Sequence, residues 1–248
     1  MRQIEPNSFI CANSEDVLRD LSTGFCDMIL TDPPYGVGWD KRAAWGSDNC
    51  APVGQYGRQL WDSTPPDTKT MDEIRRVSKN QIVWGGNHFV AALGNSSCWL
   101  VWNKDNTGGY ADCELAYTNF PSAVRMFTWR WNGMLQQEMG SRKETRYHPT
   151  QKPVPLFVWC LLNYSKPGDL IIDPYSGSGT TALACHKTGR RFICIERERE
   201  YHEIAQQRYA DLIAQHDLFG TQNTMEAGET AYNSRSTQPE QLSLDGIL

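Results

Sequence analysis

The segment TDPPYG, residues 31–36, follows the apolar run CDMIL. Asp32 supplies an anionic acceptor. Pro33 and Pro34 stiffen the exit from what reads as a buried strand and, having no N–H, offer only carbonyls. Tyr35 adds a flat apolar face with a hydroxyl at its rim. Acceptors beside a flat face suit an exocyclic amine on a planar base. Such a nitrogen is a poor nucleophile because its lone pair is delocalised into the ring. Accepting its hydrogens favours a pyramidal nitrogen, and an anion stabilises the positive charge that develops there during attack. Asp32, Pro33, Pro34 and Tyr35 are therefore the catalytic candidates.

A second loop lies far along the chain, in DLIIDPYSGSGTTALACHKTGRRFICIE. It reads as strand, Gly-rich turn, helix, strand. Gly177 and Gly179 allow a sharp turn and close approach of backbone to a ligand. Thr180 and Thr181 open a helix whose free N–H groups favour negative ligand groups. Glu196 ends the following strand, roughly 20 residues beyond Asp173, where dinucleotide folds place the acid that takes ribose hydroxyls. The turn is not G-x-G-x-x-G, and no lysine follows it to hold a triphosphate. A nucleoside with an amino-acid end fits better, its ammonium on Asp173 and its ribose on Glu196. A plain tight turn with a solvated glutamate is the competing reading of the loop taken alone.

The elements that position these loops follow from pattern. SFICA, CDMILT, QIVWGG, DLIID and RFICIE read as strands, as do the aromatic-rich CWLVWNK, CELAYTNF and AVRMFTWRW. SEDVLRDL (with Ser14 as N-cap), MDEIRRVS, VPLFVWCLLNYS behind Pro153, and TTALACHKT ended by Gly189 read as helices. A last helix has its apolar positions Tyr201, Ile204, Ala205, Tyr209, Leu212 and Ile213 at helical spacing. Alternating strands and helices predict an α/β fold, a mostly parallel sheet with helices on both faces. TDPPY and DPYSGSG then both sit at C-terminal strand ends. If their strands are neighbours, Asp32 and Asp173 face one crevice at the switch point.

Length and composition fit this picture. The chain has 248 residues, 40% of them hydrophobic, enough for one sizeable core. The net charge of −5 means that any nucleic-acid surface must be local. Five histidines show no metal-ligand spacing, and no metal is expected. The eight cysteines include no C-x-x-C pair and read as reduced, mostly buried thiols. The N-terminus has no signal-peptide apolar run, and no run is long enough to span a membrane, so a cytoplasmic location is expected.

TDPPYG, HPTQKP and DPYSGSGTT, in that order, resemble the signature segments of DNA amino-methyltransferases that use S-adenosylmethionine. The order, catalytic segment before cofactor loop, resembles the circularly permuted β group, mostly N6-adenine enzymes. QIVWGGNHF, WLVWNK and DCELAYTNF resemble phage- or prophage-encoded members. The resemblance covers about residues 8 to 213 and implies a Rossmann-like methyltransferase fold acting on a flipped base. It implies that Asp32, Pro33 and Tyr35 hold and stack that base. Asp173, Tyr175, Ser176, Gly177, Ser178, Gly179 and Thr180 would line the methionine end of the cofactor, and Glu196 would take its ribose. Thr150 and Lys152 would sit by the methionine carboxylate, the lysine as countercharge. Two positions depart from the family pattern. Tyr175 stands where Phe is usual, and Asn13 where an Asp after Gly is common.

DNA contact is expected between residues 125 and 152, where Arg125, Arg130, Arg142, Lys143, Arg146 and Lys152 outnumber Glu138 and Glu144. With Trp129 and Trp131 this stripe suits phosphate neutralisation and base contact on double-stranded DNA. Arg130, Arg142, Lys143 and Arg146 are the named DNA-binding candidates. The recognition insert, about residues 127–147, is short. Either the target site is short or a second subunit, as in a homodimer, contributes. A catalytic domain is expected over 1–218, with a mobile loop at about 36–60 holding Trp39 and Trp45. The polar segment 219–248 is expected to be a disordered tail. Its Gln241, Leu242 and Leu244 resemble the start of a sliding-clamp docking peptide, with Asp245 where an apolar residue is expected.

Three functions compete at this stage. The first is a site-specific DNA N6-adenine methyltransferase. The second is an N4-cytosine enzyme, whose family members usually carry Ser in place of Asp before the two prolines. The third is a catalytically silent DNA-binding protein.

Overall fold

The computed structural model describes residues 4–36, 65–106, 111–132, 135–140, 143–147 and 150–219. Most of the expected loop at 36–60, with Trp39 and Trp45, lies outside the described residues, as do Arg142 and the segment after 219. Among the described residues the elements begin with β1 (Ser8–Cys11), α1 (Ser14–Asp20), β2 (Cys26–Thr31), α2 (Thr68–Val77) and β3 (Ser78–Trp84). A 3-10 turn (Gly86–His88), α3 (Val90–Leu93), β4 (Leu100–Asn103), β5 (Cys113–Thr118) and β6 (Arg125–Thr128) follow. A short hairpin, β7 (Trp131–Asn132) with β8 (Leu135–Gln136), precedes α4 (Val154–Tyr164). The chain continues through β9 (Leu170–Asp173), α5 (Thr180–Thr188), β10 (Arg191–Glu196) and α6 (Arg199–Phe219).

Eight strands form one sheet in the order β1-β10-β9-β2-β3-β5-β4-β6. β1, β10, β9, β2 and β3 are parallel neighbours. β5 runs antiparallel between β3 and β4, and β4 pairs in parallel with β6. The sheet is therefore mostly parallel, with one reversed strand in its aromatic half. Strands buried on both faces need unbroken apolar runs rather than alternation, and CDMILT, LIID and RFICIE provide them.

One face packs Ile29, Val83, Ile172, Ile193 and Ile195 against Val17 and Leu18 of α1 and Met71, Ile74 and Val77 of α2. The pleat turns the alternate residues Met28, Leu30 and Ile171 to the other face. There α4 packs on α5, and α5 on β10. α1 is capped by Asn13, not Ser14: Asn13 is extended and its side-chain oxygen accepts the Glu15 N–H at 3.0 Å, while Ser14 is already in the first turn. α5 ends as expected at Gly189, which adopts φ 69°.

β9 and β10 continue to one side of the sheet, and β2 and β3 to the other. The winding thus reverses between β2 and β9, which pair at Met28–Ile171 and Ile29–Ile172. That reversal opens a crevice at their C-terminal ends. The chain divides by its contacts into Met1–Ala210 and Asp211–Leu248, the boundary falling inside α6. Among the described residues no helix is long and apolar enough to cross a membrane. The seven described cysteines are free. Cys26, Cys98, Cys160, Cys185 and Cys194 are buried as expected, whereas Cys11 and Cys113 are exposed.

Candidate functional site

Asp32 leaves the end of β2, and Asp173 is the last residue of the adjacent β9. Both line one cleft, together with Pro33, Pro34, Tyr35, Thr150, Lys152, Tyr175 to Ser178, Thr180 and Glu196. The expected convergence of the two motif loops is therefore present. The floor of the cleft is joined across the strand pair, because Thr31 Oγ1 donates to Asp173 Oδ1 at 2.7 Å.

Asp32 is largely buried and doubly held. Tyr35 Oη donates to its Oδ1 at 2.5 Å, and Lys152 Nζ to its Oδ2 at 2.5 Å. Burial raises the Asp32 carboxyl above its ordinary value, the Lys152 charge opposes this, and Glu114 pushes it up again. Lys152 is 5% exposed. Its ammonium also meets Glu114 Oε2 at 3.0 Å and Tyr35 Oη at 3.2 Å. Burial works against the Lys152 charge, but Asp32 and Glu114 outweigh it and raise the ammonium's pKa. Glu114, on β5, is further ion-paired to Lys104. Burial alone would raise the Glu114 carboxyl, but Lys152 and then Lys104 bring it down to about 2. Lys152 thus pairs with Asp32 and with Glu114, which β5 brings beside it, and it lines the same cleft as Thr150 and the Gly-rich turn.

Tyr35 is fixed by its surroundings as well as by Asp32. Its ring stacks on His88 (centroids 4.8 Å apart, planes at 15°) and meets Phe89 edge-on. Gly85, at φ 67°, lies so close that a Cβ there would stand 2.0 Å from Tyr35 Cε1. The GGNH segment after β3 is therefore a seat for the tyrosine.

The Gly-rich turn forms the other end of the cleft. Asp173 is 2% exposed. It accepts from Thr31, from the Thr181 hydroxyl and, at 3.1 Å, from the Tyr175 N–H. Burial pushes its carboxyl up to about 6 despite these bonds. Glu196 Oε2 accepts the Gly177 N–H and its Oε1 the Glu198 N–H, both at 2.9 Å, so the acid is aimed from the end of β10 by backbone. Burial raises this carboxyl too.

The two glycines divide their work. A Cβ on Gly177 would meet nothing within 4 Å, so this backbone borders open space, whereas one on Gly179 would strike Ala205 Cβ at 2.8 Å. Gly179 thus serves the packing of α5 on α6. Ser176 Oγ is buried without a hydrogen-bond partner among the described residues. No side chain caps the start of α5. An orphaned hydroxyl, an uncapped helix start and two oriented carboxylates form a donor and acceptor set that fits a zwitterionic nucleoside.

The expected DNA-binding residues that are described differ in their surroundings. Arg130 is exposed and paired with Asp105. Lys143 and Arg146 are half-buried, and Arg146 lies over the Trp131 ring. Trp131 is 8% exposed, so it supports the hairpin rather than presenting a face to bases. Trp129 is half-buried and stacked on Phe127. Glu144 is not a free counter-charge of this stripe. It accepts from Arg208, 7% exposed, at 3.1 Å and from Gln151 at 2.8 Å. Arg208 also donates to the Ser178 carbonyl at 2.6 Å and to its hydroxyl at 3.0 Å. Sequence reasoning missed Glu114, Arg208 and the Gly85–His88 seat. The signal present was a charged residue inside an apolar strand (Glu114) and an arginine between Ala205 and Tyr209 on the apolar stripe of α6.

Comparison with known proteins adds the lineage. A DNA methylase family model matches residues 122–207. The Type II methyltransferase M2.LlaDCHI of Lactococcus lactis subsp. cremoris is 42% identical over 239 residues, covering 79% of this chain and 87% of that protein. M2.MboI of Moraxella bovis, also a Type II methyltransferase, is 33% identical over 240 residues, covering 81% and 86%. The fold is similar to that of the M1.HpyAVI–SAM complex (TM-score 0.51, 20% identity, 81% of this chain and 98% of that one). It is also similar to the cytosine-N4-specific PvuII DNA methyltransferase (TM-score 0.53, 13% identity, 93% of each).

Proposed function

We propose, from the premise that this chain belongs to the N6/N4 family of DNA methyltransferases, that it methylates the N6 amino group of adenine at a specific site in double-stranded DNA. The observation that carries this reading is the buried Asp32 carboxylate, held by Tyr35 and Lys152 at the switch point beside the Gly-rich turn. Asp rather than Ser ahead of the two prolines favours adenine over cytosine.

S-adenosylmethionine supplies an electrophilic methyl group on a sulfonium centre. Glu196 would take its ribose hydroxyls, Asp173 its ammonium, and Ser176, Gly177, Ser178 and Thr180 the remainder of its methionine end. Asp32 keeps a second lone pair on each oxygen, so it can accept hydrogens of the amine while bonded to Tyr35 and Lys152. It stabilises the positive charge that develops on the nitrogen and receives the proton that leaves after transfer. Tyr35 offers its ring to the base, which must leave the duplex to reach the cleft. His88, exposed and stacked on Tyr35, borders that position. Arg130, Arg142, Lys143 and Arg146 contact the phosphate backbone.

Modification-sensitive sequencing of DNA from cells expressing the protein tests the proposal. N6-methyladenine within one recurrent sequence is expected. N4-methylcytosine would move the reading to the cytosine enzymes, and unmodified DNA to a silent binding protein.

A further inference from the structure

We propose that Glu114 is a positioning residue for methyl transfer: it anchors the Lys152 ammonium that holds the Asp32 carboxylate in place. The inference rests on the reading of Asp32 given above and adds a residue that lies in none of the three motif segments.

A lysine ammonium has three N–H donors and no acceptor. Lys152 donates to Asp32 Oδ2 at 2.5 Å and to Tyr35 Oη at 3.2 Å, and its ammonium is ion-paired with Glu114 Oε2 at 3.0 Å, an oxygen buried with no hydrogen bond among the described residues. These partners come from two separate places in the fold, the exit of β2 and the start of β5, while Lys152 itself precedes α4. Without the Glu114 charge the buried cluster holds one unanswered positive charge, and the ammonium lowers that cost by swinging toward water and away from Asp32. Glu114 is itself fixed from behind by Lys104, whose ammonium lies 5.0 Å from the Trp102 ring centroid. Backbone pairing sets Trp102 directly opposite Glu114. The chain Lys104–Glu114–Lys152–Asp32 alternates in sign and sums to zero charge, which is what a buried cluster of this size requires.

The competing account is that Glu114 merely neutralises two lysines. The two accounts differ in what they do to the reaction's pH profile. The charged and titratable groups around Lys152 and Asp32 are Tyr35 on the exit of β2, Glu114 on β5, Lys104 after β4, Asp173 at the end of β9, and His88 against Tyr35. Glu114 is the anion that Lys152 shares with Asp32. Its negative charge raises the Asp32 carboxyl, while Lys152 lowers it by more; a Glu114 that merely neutralises would on removal shift the acid limb to lower pH, whereas loss of the ammonium from Asp32 shifts it to higher pH. Removing the Lys104 charge leaves Glu114 and Lys152 in place, and the lost positive charge moves the limb to higher pH.

The test is kcat, cofactor KM and the pH profile for labelled methyl transfer to unmethylated genomic DNA, measured with the full chain. For Glu114→Gln we expect kcat to fall by about 10- to 100-fold, as for a displaced catalytic group. Cofactor KM should be unchanged and the acid limb should move to higher pH. Glu114→Asp should restore the limb. Lys104→Gln, at the partly exposed end of the chain, should move the limb to higher pH, and this variant carries the test if Glu114→Gln fails to fold. Glu114→Gln with wild-type kcat, or with its acid limb unmoved or moved to lower pH, overturns the inference when Asp32→Ala is inactive, and so does an unmoved limb in Lys104→Gln. Turnover by Asp32→Ala removes instead the reading of the site on which the inference depends.

Discussion

A carboxylate taken out of water stays ionised only where its charge is answered. Asp32 is answered by one ammonium and one phenol, and Tyr35 can give that phenol because Gly85 leaves room for its ring. Gly85→Ala would put a methyl group into the tyrosine at a left-handed backbone position. We expect kcat to fall by about 100-fold, since displacement of a group by 1 Å has that order of effect, with S-adenosylmethionine affinity unchanged. Steady-state kinetics beside calorimetry measures both, and full activity would show that the seat is not needed. Asp173 gives a pH prediction. Its folded value of about 6 lies above the ordinary carboxylate range. The stability contributed by its protonated form is therefore present below that range and lost as pH rises through about 6. Binding has the opposite sign, because an ammonium partner needs the anion. Affinity for S-adenosylmethionine should be constant above about pH 7 and weaken by up to about tenfold per unit below about pH 6. A flat profile contradicts the pairing.

The hairpin of β7 and β8 meets the Gly-rich turn through one buried set of contacts. Gln136 exchanges two 2.8 Å hydrogen bonds with the Glu144 backbone. The Glu144 side chain binds Arg208, Gln151 and the Val154 N–H, and Ser178 donates to Gln151 at 3.1 Å. Removing one partner of a buried pair strands the other charge, so Arg208→Ala should cost about 3–5 kcal/mol of stability. Denaturant unfolding measures this, and a loss below about 1 kcal/mol would mean that the pair is solvated. In the same stretch of sequence, replacing Arg142, Lys143 and Arg146 together should weaken DNA binding and flatten the slope of log K against log salt by about 2 to 3. An unchanged slope puts the phosphate contacts elsewhere.

These contacts also show what the sequence could reveal. Strands β2, β9 and β10 are legible because parallel strands need unbroken apolar runs, and the loops after β2 and β9 because Pro-Pro and Gly-x-Gly are local conformational constraints. The partners of Lys152 and Arg208 are not legible. Glu114 and Glu144 reach them from other elements, and a buried ion pair leaves no periodic mark on the chain. The antiparallel insertion of β5 is likewise invisible in its own residues, yet it is what carries Glu114 to the cleft.

Across the whole molecule the work divides by strand direction. The parallel strands β10, β9 and β2 present Glu196, Asp173 and Asp32 along one edge, and the reversed strand β5 supplies the carboxylate that steadies Lys152. Every described residue of the cleft and of its supporting contacts lies within Met1–Ala210. A chain ending at residue 219 should therefore keep cofactor affinity and methyl transfer to short duplexes within about twofold of the full chain. A filter assay with labelled cofactor decides it, and loss of transfer would assign the final segment a part in catalysis. The central claim is that Asp32 directs a methyl group to N6 of adenine. Nucleoside mass spectrometry of DNA from cells expressing the wild-type chain or Asp32→Ala tests it most directly. The account predicts N6-methyladenine with the wild type and none with the variant. N4-methylcytosine with the wild type, or N6-methyladenine with the variant at a comparable level, would contradict it.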